Sequence, residues 1–452
     1  MSLLDPLFGS AEVNRIFSDE QGVQRMLDFE SALAGAEARA GVIPQSVPGA
    51  IVSQCKVQYV DLPQLAQDAA GAGNLAIPLV KQLTGLVSKI DPEAARYVYW
   101  GATSQDVIDT ALILQCRDAF HVIASRLDAL RERLAELSNE HRATPMVART
   151  WMQHAVPTVF GLKVAGWLDA VGRHRQRLAQ TQDRVLALQF GGAAGTLAAL
   201  GESGLQVSTA LAEELKLTLP LIPWHSHRDR MAEMSATLAL LVGTLGKIAR
   251  DVSLQMQTEV SELLEPAAEG AGGSSTMPHK RNPVACSVVL AAAARVPPLA
   301  GTLLAAMPQE HERGLGGWQA EWETVPQIFR LTAGALHRTV EMMDAIEVRT
   351  ERMAQNLDQT RGLVFAEAVT MELAKHVGKS QAHGIVEAAA RQAASSGRSF
   401  RQILDSAPSV TAHLSSAQLD LLFQPLHYTG ASGQFIERVL KANTSQEEGK
   451  KA

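Results

Sequence analysis

Aromatic residues and an excess of positive charge are both lacking in this chain of 452 residues. Phe, Trp and Tyr make up 5% of it, so the 46% hydrophobic content comes mainly from Ala, Leu and Val, which favours packed helices over sheets. A formal net charge of −6 argues against a nucleic-acid-binding protein, which would need a basic face. We therefore expect an all-α protein with no nucleic acid partner.

Cysteines are few, and neither a membrane span nor a signal peptide is evident. Cys55, Cys116 and Cys286 show no metal-ligand spacing and no disulfide framework, which is typical of a reducing cytoplasm. No apolar stretch reaches membrane-spanning length, and Asp5 and Glu12 stand where a signal peptide would be basic and then apolar. The sequence predicts a soluble, cytoplasmic protein without a membrane partner.

Long helical periodicity is the main structural signal. Apolar residues recur at steps of three and four within 112–137 and 234–263, and the second segment would form a helix of roughly 45 Å. It carries no charge between Glu233 and Lys247, so we expect that half to be buried nearly all round, through a bundle formed by several subunits. Further helices are predicted at about 158–188 and 326–348, and at 284–295, where Pro297-Pro298 should end the helix.

Composition changes along the chain predict three domains. The first hundred residues have shorter helical patterns and several prolines, and a second change falls near Asn356–Gly362. We expect an N-terminal helical domain at 1–109, a central long-helix domain at 110–357 and a C-terminal helical domain at 358–452.

The segment 273–283, Gly-Ser-Ser-Thr-Met-Pro-His-Lys-Arg-Asn-Pro, has the groups that carboxylate chemistry needs. It follows several glycines and supplies hydroxyls at Ser274 and Ser275, a cation at Lys280 and an amide at Asn282. Asn282-Pro283 reads as an N-cap and first helical residue, and free N–H groups at a helix start attract anions. This loop is the leading candidate site.

The order of these eleven residues resembles the signature loop of the fumarase/aspartase superfamily. Two further segments resemble the superfamily's other signature regions. Gly101-Ala-Thr-Ser-Gln-Asp106 is similar to the pattern Gly-x-Thr-Ser-x-Asp, and 149–161 is similar to Arg-Thr-His-x-Gln-x-Ala-x-Pro-x-Thr-x-Gly. With the C-terminal part included, the resemblance covers nearly the whole chain. It implies a homotetramer with a central twenty-helix core, in which each active site draws its three regions from three subunits.

The resemblance also implies roles for individual residues. It makes Ser274, directly after the glycine, the catalytic base, and it requires no metal or organic cofactor. Arg313 is a candidate ligand for an additional carboxylate, with a structural ion pair as the alternative. His154 and Arg228 are further candidates. A satisfied structural histidine is the alternative for His154, and a charge cluster at a helix start with Asp229 and Arg230 is the alternative for Arg228. The expected substrate-binding residues are Thr103, Ser104, Thr150, Trp151, Gln153, Ser275, Met277, Lys280, Asn282 and Arg313.

Two departures from the superfamily pattern bear on the reaction. Trp151 stands where many relatives have the histidine that protonates the leaving group, and Tyr99 stands where adenylosuccinate lyases have a second histidine. Neither side chain can replace imidazole as an acid near pH 7. A lactone that opens by β-elimination expels a carboxylate, whose conjugate acid has a pKa of about 4, and needs no such acid. The pattern therefore suits the formation and opening of a lactone.

The amino-acid sequences of three further segments resemble one branch of the superfamily, the bacterial 3-carboxy-cis,cis-muconate cycloisomerases. These segments are 99–106, 223–230 and 310–318. The resemblance implies a small tricarboxylate substrate, interconverted with 4-carboxymuconolactone in protocatechuate catabolism by the β-ketoadipate pathway. An adenylosuccinate-type or other fumarate-releasing lyase is the nearer alternative. A non-catalytic helical scaffold is the further one, and it would have no need of Ser274, Lys280 or Asn282.

Overall fold

Helices dominate the computed structural model, which describes residues 3–266, 277 and 280–451, with side chains up to 444. The first ten helices are α1 Asp5–Phe8, α2 Ala11–Ile16, α3 Asp19–Arg39, α4 Val47–Gln54, α5 Leu62–Ala72, α6 Ala76–Ser88, α7 Ser104–Glu140, α8 Phe160–Val185, α9 Gly204–Leu215 and α10 Asp229–Gln255. The later ones are α11 Val284–Ala305, α12 Gly317–Asp344, α13 Thr350–Asp358, α14 Ala366–Val377, α15 Lys379–Ser396, α16 Phe400–Asp405, α17 Pro408–Thr411, α18 Ser416–Leu422 and α19 Ser432–Lys451.

Strands form two small antiparallel sheets in the part of the chain that the structure describes. Strands β1 Pro145–Thr150 and β2 Gln153–Val159 form a hairpin with Thr150 opposite Gln153, and β3 Leu263–Leu264 pairs with β4 Glu347–Val348. The predicted all-α class is confirmed, since these strands are short and each sheet has only two.

The chain divides into two compact units. The first contains Met1–Leu127, His174–Gly246 and Val288–Arg338, and the second contains Asp128–Arg173, Lys247–Ser287 and Thr339–Ala452. In the first unit α3 packs against α4 and α9. In the second unit α14 packs against α15, and the β1–β2 hairpin packs against α13. The predicted boundaries at 109/110 and 357/358 stay a prediction.

The long helices agree with the sequence periodicity in position and differ from it at two ends. Helix α10 ends at Gln255 and the chain turns before β3, with Ser261 in the left-handed region at φ 51°, so the apolar steps beyond Gln255 belong to a turn and a strand. Helix α11 does not stop before Pro297 but continues to Ala305. Its buried stripe runs across the prolines, so side-chain packing outweighs the cost of proline inside a helix. The stripe contains Val288, Val289, Ala292, Val296, Ala300 and Leu303.

Two described helices, α10 and α11, are long and apolar enough to cross a membrane by length and composition alone, contrary to the expectation from the sequence. The chain itself buries 61% of the most apolar window of α10, as in the core helix of a soluble protein. That helix is not buried all round within one chain, because Leu240 is 55% exposed.

The inner face of α3 carries two carboxyl groups in an apolar setting. Glu30 and Glu37 lie two helical turns apart, and both are buried. Neither oxygen of Glu37 has a hydrogen-bond partner among the described residues. Burial raises the pKa of Glu37 to about 9, and the nearby Glu30 adds to the shift. Burial also raises the pKa of Glu30 to about 8. Both groups are therefore held in the neutral form at pH 7.

Replacing Glu37 with glutamine is expected to flatten the dependence of stability on pH. The carboxyl is neutral in the folded chain up to about pH 9, whereas the unfolded chain ionises near its ordinary pKa of 4.5, so the free energy of unfolding falls as pH rises between these values. The Glu37→Gln protein lacks this titration. Its free energy of unfolding should exceed that of the parent by on the order of 2–4 kcal/mol at pH 8 and should be about equal to it at pH 4. Denaturant unfolding from pH 4 to 9 measures the difference, and a constant difference across that range would contradict the assignment.

Candidate active site

The first signature segment is held at the start of α7 by a buried carboxylate. Asp106 accepts hydrogen bonds from the backbone N–H groups of Thr103, Gly191 and Gly192 at 3.0, 3.0 and 2.9 Å, and its Oδ1 lies 2.7 Å from His225 Nε2. Burial raises the pKa of Asp106, and these hydrogen bonds and His225 oppose the rise. The carboxylate fixes the Thr103 backbone against the 191–192 loop.

Arg313 lies beside this segment. Its Nη1 donates to Thr103 Oγ1 at 3.2 Å, its Nε donates to Gln105 Oε1 at 3.2 Å, and its Nη2 donates to the Ala193 carbonyl at 3.2 Å. Gln105 in turn donates to Asp109 and to the His225 carbonyl. The guanidinium is half-buried and touches the predicted carboxylate ligand Thr103, so the structure places the two predicted substrate residues together.

Arg228 is not available to a substrate, which corrects the prediction that it could contact one. Its side chain is 1% exposed and lies between two carboxylates, with Nη1 donating to Asp109 at 2.7 Å and Nε donating to Glu321 at 2.9 Å. Trp318 Nε1 donates to the other oxygen of Asp109 at 2.9 Å. The guanidinium also stacks on Trp224 at 4.8 Å from the ring centre. Arg228 is a buried structural ion-pair residue, and its partners are these distant carboxylates, not the adjacent Asp229 of the charge cluster that was the alternative from the sequence.

The second signature segment is the β1–β2 hairpin of the second unit. Its two-residue turn is Trp151-Met152, and both residues are left-handed, at φ 51° and 64°. Such a turn normally takes Asn or Gly, so the tip is strained. The indole of Trp151 is 98% exposed, and Thr150 and Gln153 flank the turn on the exposed side. The hairpin therefore exposes the predicted substrate-binding residues Thr150 and Gln153 together with the indole ring of Trp151.

A bidentate ion pair anchors that hairpin close to its turn. Arg149 Nη1 and Nη2 donate to the two oxygens of Glu262 at 2.9 and 2.8 Å, and Asn356 donates to the same carboxylate at 2.8 Å. His154 pairs with Arg149 across the hairpin. Burial lowers the pKa of His154, and the charge of Arg149 lowers it further. His154 is therefore neutral at pH 7 and poorly suited to act as a protonated acid.

The third signature segment falls partly outside the described residues, which do not include Ser274 or Ser275. Met277 and Lys280 are exposed, Asn282 is half-buried, and α11 begins at Val284, one residue beyond the predicted first helical position.

The start of α11 is not a free anion site, which corrects the expectation from the sequence. The backbone N–H groups of Ala285 and Cys286 donate to the two oxygens of Glu265 at 2.9 and 2.8 Å. The anion that these N–H groups attract is thus the protein's own buried carboxylate. Arg281 donates to the Glu265 carbonyl and pairs with Glu347, so these described residues lie together at the start of α11.

Sequence reasoning missed two of the carboxylates that hold these segments in place. Glu262 and Glu265 carry no motif of their own, and their partners lie far away in the chain. Asp106 belongs to the first signature pattern, but its contacts with residues 191, 192 and 225 could not be foreseen. His225 was included only as part of segment 223–230, whose sequence resembles that of the family. Within the part of the chain that the structure describes, no group of three or more His, Cys, Asp or Glu side chains could hold a metal ion.

The chain is similar to known proteins over most of its length. The family model described as "Lyase" matches residues 10–297, and the model described as "Adenylosuccinate lyase C-terminus" matches residues 362–439. The 3-carboxy-cis,cis-muconate cycloisomerase of Bradyrhizobium diazoefficiens is 52% identical over 438 residues, 97% of each chain. The protein of the same name from Pseudomonas aeruginosa is 51% identical over 97% of this chain and 95% of its own length.

A solved structure agrees over the whole fold. The crystal structure of 3-carboxy-cis,cis-muconate lactonizing enzyme from Pseudomonas putida has a TM-score of 0.94 and 48% identity, and covers 98% of this chain and 99% of that chain. The long-helix fold and the signature segments define the class as the fumarase/aspartase superfamily of lyases. Within that class, the chain belongs to the family of the 3-carboxy-cis,cis-muconate cycloisomerases. The resemblance found in the sequence is confirmed.

Proposed function

We propose that this protein is an intramolecular lyase that interconverts 3-carboxy-cis,cis-muconate and 4-carboxymuconolactone. Relatives that share half of its residues over almost the full length carry that name. The reaction belongs to protocatechuate catabolism by the β-ketoadipate pathway, and the protein acts in the cytoplasm. No metal or organic cofactor takes part in the proposed chemistry.

In the lactonising direction, a terminal carboxylate of the substrate attacks an alkene carbon of the same molecule and forms the ring C–O bond. The electron pair of the alkene moves onto the conjugated carboxylate, which becomes an aci-carboxylate. Lys280 and Asn282 stabilise the extra charge there. Ser274 delivers a proton to the neighbouring carbon, which completes the lactone, and regains a proton from solvent. In the reverse direction Ser274 removes the proton from carbon and passes it to solvent.

The remaining substrate carboxylates bind to hydroxyls and amides of the first two signature segments. Thr103 and Ser104 bind one carboxylate, and Arg313, in contact with the Thr103 hydroxyl, supports an additional one. Thr150 and Gln153 contact the substrate from the hairpin, and Trp151 forms an apolar wall over the planar diene. Ser275 and Met277 add contacts from the third segment.

One observation carries this proposal against other reactions of the superfamily: the hairpin has no acid at its tip. Trp151 occupies the position of the leaving-group acid, and the neighbouring His154 has a lowered pKa, so it is neutral at pH 7. Expulsion of an amine or hydroxide needs a proton donor there, whereas expulsion of a carboxylate does not.

The alternative, a fumarate-releasing lyase of the adenylosuccinate type, rests on the Met-Pro-His-Lys-Arg-Asn-Pro wording of residues 277–283. Such an enzyme would need His154 as its acid. A non-catalytic scaffold would not need Lys280, Asn282 or Ser274 at all.

Purified protein is expected to consume 3-carboxy-cis,cis-muconate rapidly in the presence of a metal chelator, seen as loss of the ultraviolet absorbance of the diene. It should release no fumarate from adenylosuccinate. A His154→Gln variant should keep its rate within about three-fold, since a neutral histidine supplies no acid. Fumarate release with an unchanged diene, abolished in His154→Gln, would establish the alternative, and inertness toward both substrates would refute the proposal.

The protein is proposed to work as a homotetramer. Exposed apolar residues on the long helices, such as Leu240 on α10 and Leu304 on α11, support assembly through a helical bundle, because a chain in isolation would leave these faces in water.

A further inference from the structure

A buried carboxyl on α3 contacts the backbone two residues before the first signature segment, at the opposite end from Asp106. Glu30 is 1% exposed, and its Oε2 accepts the backbone N–H of Tyr99 at 3.1 Å. Among the described residues its Oε1 has no hydrogen-bond partner. Burying a carboxyl is costly unless it is paired. Within the described part of the chain, the Tyr99 N–H is thus the hydrogen-bond partner that offsets this cost.

The backbone that receives this contact is strained. Tyr99 lies in the left-handed region at φ 61°, which is unfavourable for a residue with a side chain, and Gly101 follows at φ 73°. A side chain at Gly101 would come within 2.7 Å of Leu200, so glycine is needed there for space as well as for conformation. A left-handed Tyr99 persists only where its surroundings hold it, and Glu30 provides such a hold.

The side chain of Tyr99 connects this strained turn to the predicted carboxylate ligands. The Ser104 and Thr103 side chains lie near the Tyr99 phenol and act to lower its pKa. Burial nevertheless raises the pKa of Tyr99 to about 12, so the phenol is neither an acid nor a base near pH 7. The phenol can therefore influence the neighbouring Thr103 and Ser104 only through their position.

We propose that Glu30 is a positioning residue for the site: it holds Tyr99 in the left-handed conformation that orients the Thr103 and Ser104 hydroxyls toward a substrate carboxylate. The inference rests on the proposed function, in which these hydroxyls bind the substrate. Asp106 and Arg313 hold the segment at Thr103, and Glu30 holds it at Tyr99. A fixed segment binds the carboxylate equally in the ground state and in the transition state.

Glu30→Met, which has a side chain of similar length without an acceptor, tests this. We expect KM for 3-carboxy-cis,cis-muconate to rise roughly ten-fold with kcat within about three-fold, because uniform binding is lost. Glu30→Gln keeps an acceptor oxygen and resembles the neutral carboxyl, so its KM should return to the parent value. Glu37→Met is the matched control, since it removes the other buried carboxyl of the same helix face without touching Tyr99. Its KM should be that of the parent.

Hydrogen exchange of the peptide that contains residues 97–104 gives a readout independent of turnover. The Tyr99 amide should exchange faster in Glu30→Met than in the parent, and at the parent rate in Glu30→Gln and Glu37→Met. Unchanged exchange, or an unchanged KM, in a folded Glu30→Met protein would overturn the positioning role. If the parent fails to convert the substrate, the proposed function falls, while faster exchange in Glu30→Met alone would still support the hold of Glu30 on the segment.

Discussion

A Ser274→Ala protein should fold as the parent does and should lose turnover of 3-carboxy-cis,cis-muconate by 10²–10⁴-fold, the usual contribution of a positioned proton-transfer group. The hydroxyl is the group that moves the proton to and from carbon in the proposed reaction. Lys280 and Asn282 stabilise charge but carry no proton to that carbon, so they cannot replace it. Steady-state kinetics by diene absorbance measures the loss, and circular dichroism checks the fold.

Ser275→Ala is the matched control, because it removes a hydroxyl of the same size one residue further on. A substrate-binding hydroxyl contributes equally before and during the reaction, so this change should raise KM several-fold and leave kcat nearly constant. A large fall in kcat for Ser275→Ala with little effect of Ser274→Ala would transfer the catalytic role to Ser275. Unchanged turnover in both variants would remove the loop serines from the mechanism.

An Arg228→Met protein is expected to be less stable by about 3–5 kcal/mol, since removal of one partner leaves buried charges uncompensated. The guanidinium is the shared partner of Asp109 and Glu321, which are themselves buried. Its loss also removes the stacking on Trp224. Denaturant unfolding at pH 7 measures the change in the free energy of unfolding.

Arg230→Met provides the comparison, because this half-buried arginine donates to the carbonyl of Arg184 and is not held between two buried carboxylates. We expect a loss of under about 1 kcal/mol for that variant. An Arg228→Met protein of parent stability that loses only substrate affinity would reinstate Arg228 as a substrate ligand. Equal losses in the two variants would show that the buried carboxylates do not depend on Arg228.

Much of the fold could be predicted because hydrophobic periodicity is a local property. Helices α7, α8 and α12 lie where the steps of three and four place them. The ends of α8 differ from the predicted ends by a few residues, and α12 begins about nine residues earlier than predicted. The signature segments were also recognisable, because the types and spacing of their residues are written in the chain. Periodicity fails where packing decides, as in α11, whose buried stripe carries the helix through Pro297 and Pro298.

The supports of the site could not be predicted in the same way. Glu265 accepts hydrogen bonds from the N–H groups at the start of α11, twenty residues away in the chain. Glu262 forms an ion pair with Arg149, which is more than a hundred residues away. A pattern of neighbours in the sequence says nothing about such pairs. Arg228 shows the same limit: its neighbours Asp229 and Arg230 suggested a charge cluster at a helix start, whereas its partners lie on α7 and α12.

The sequence by itself determined the helical class, the superfamily and the chemical groups available for carboxylate chemistry. It also showed that Trp151 stands where many relatives have a histidine. These follow from residue type and short-range spacing, which a single chain states directly. Only the tertiary structure showed where each charge lies: Arg313 reaches Thr103 of the first signature segment, whereas Arg228 is enclosed by Asp109 and Glu321. The physical reason is that burial and pairing between distant residues set the role of a charge, and both arise only when the chain is folded.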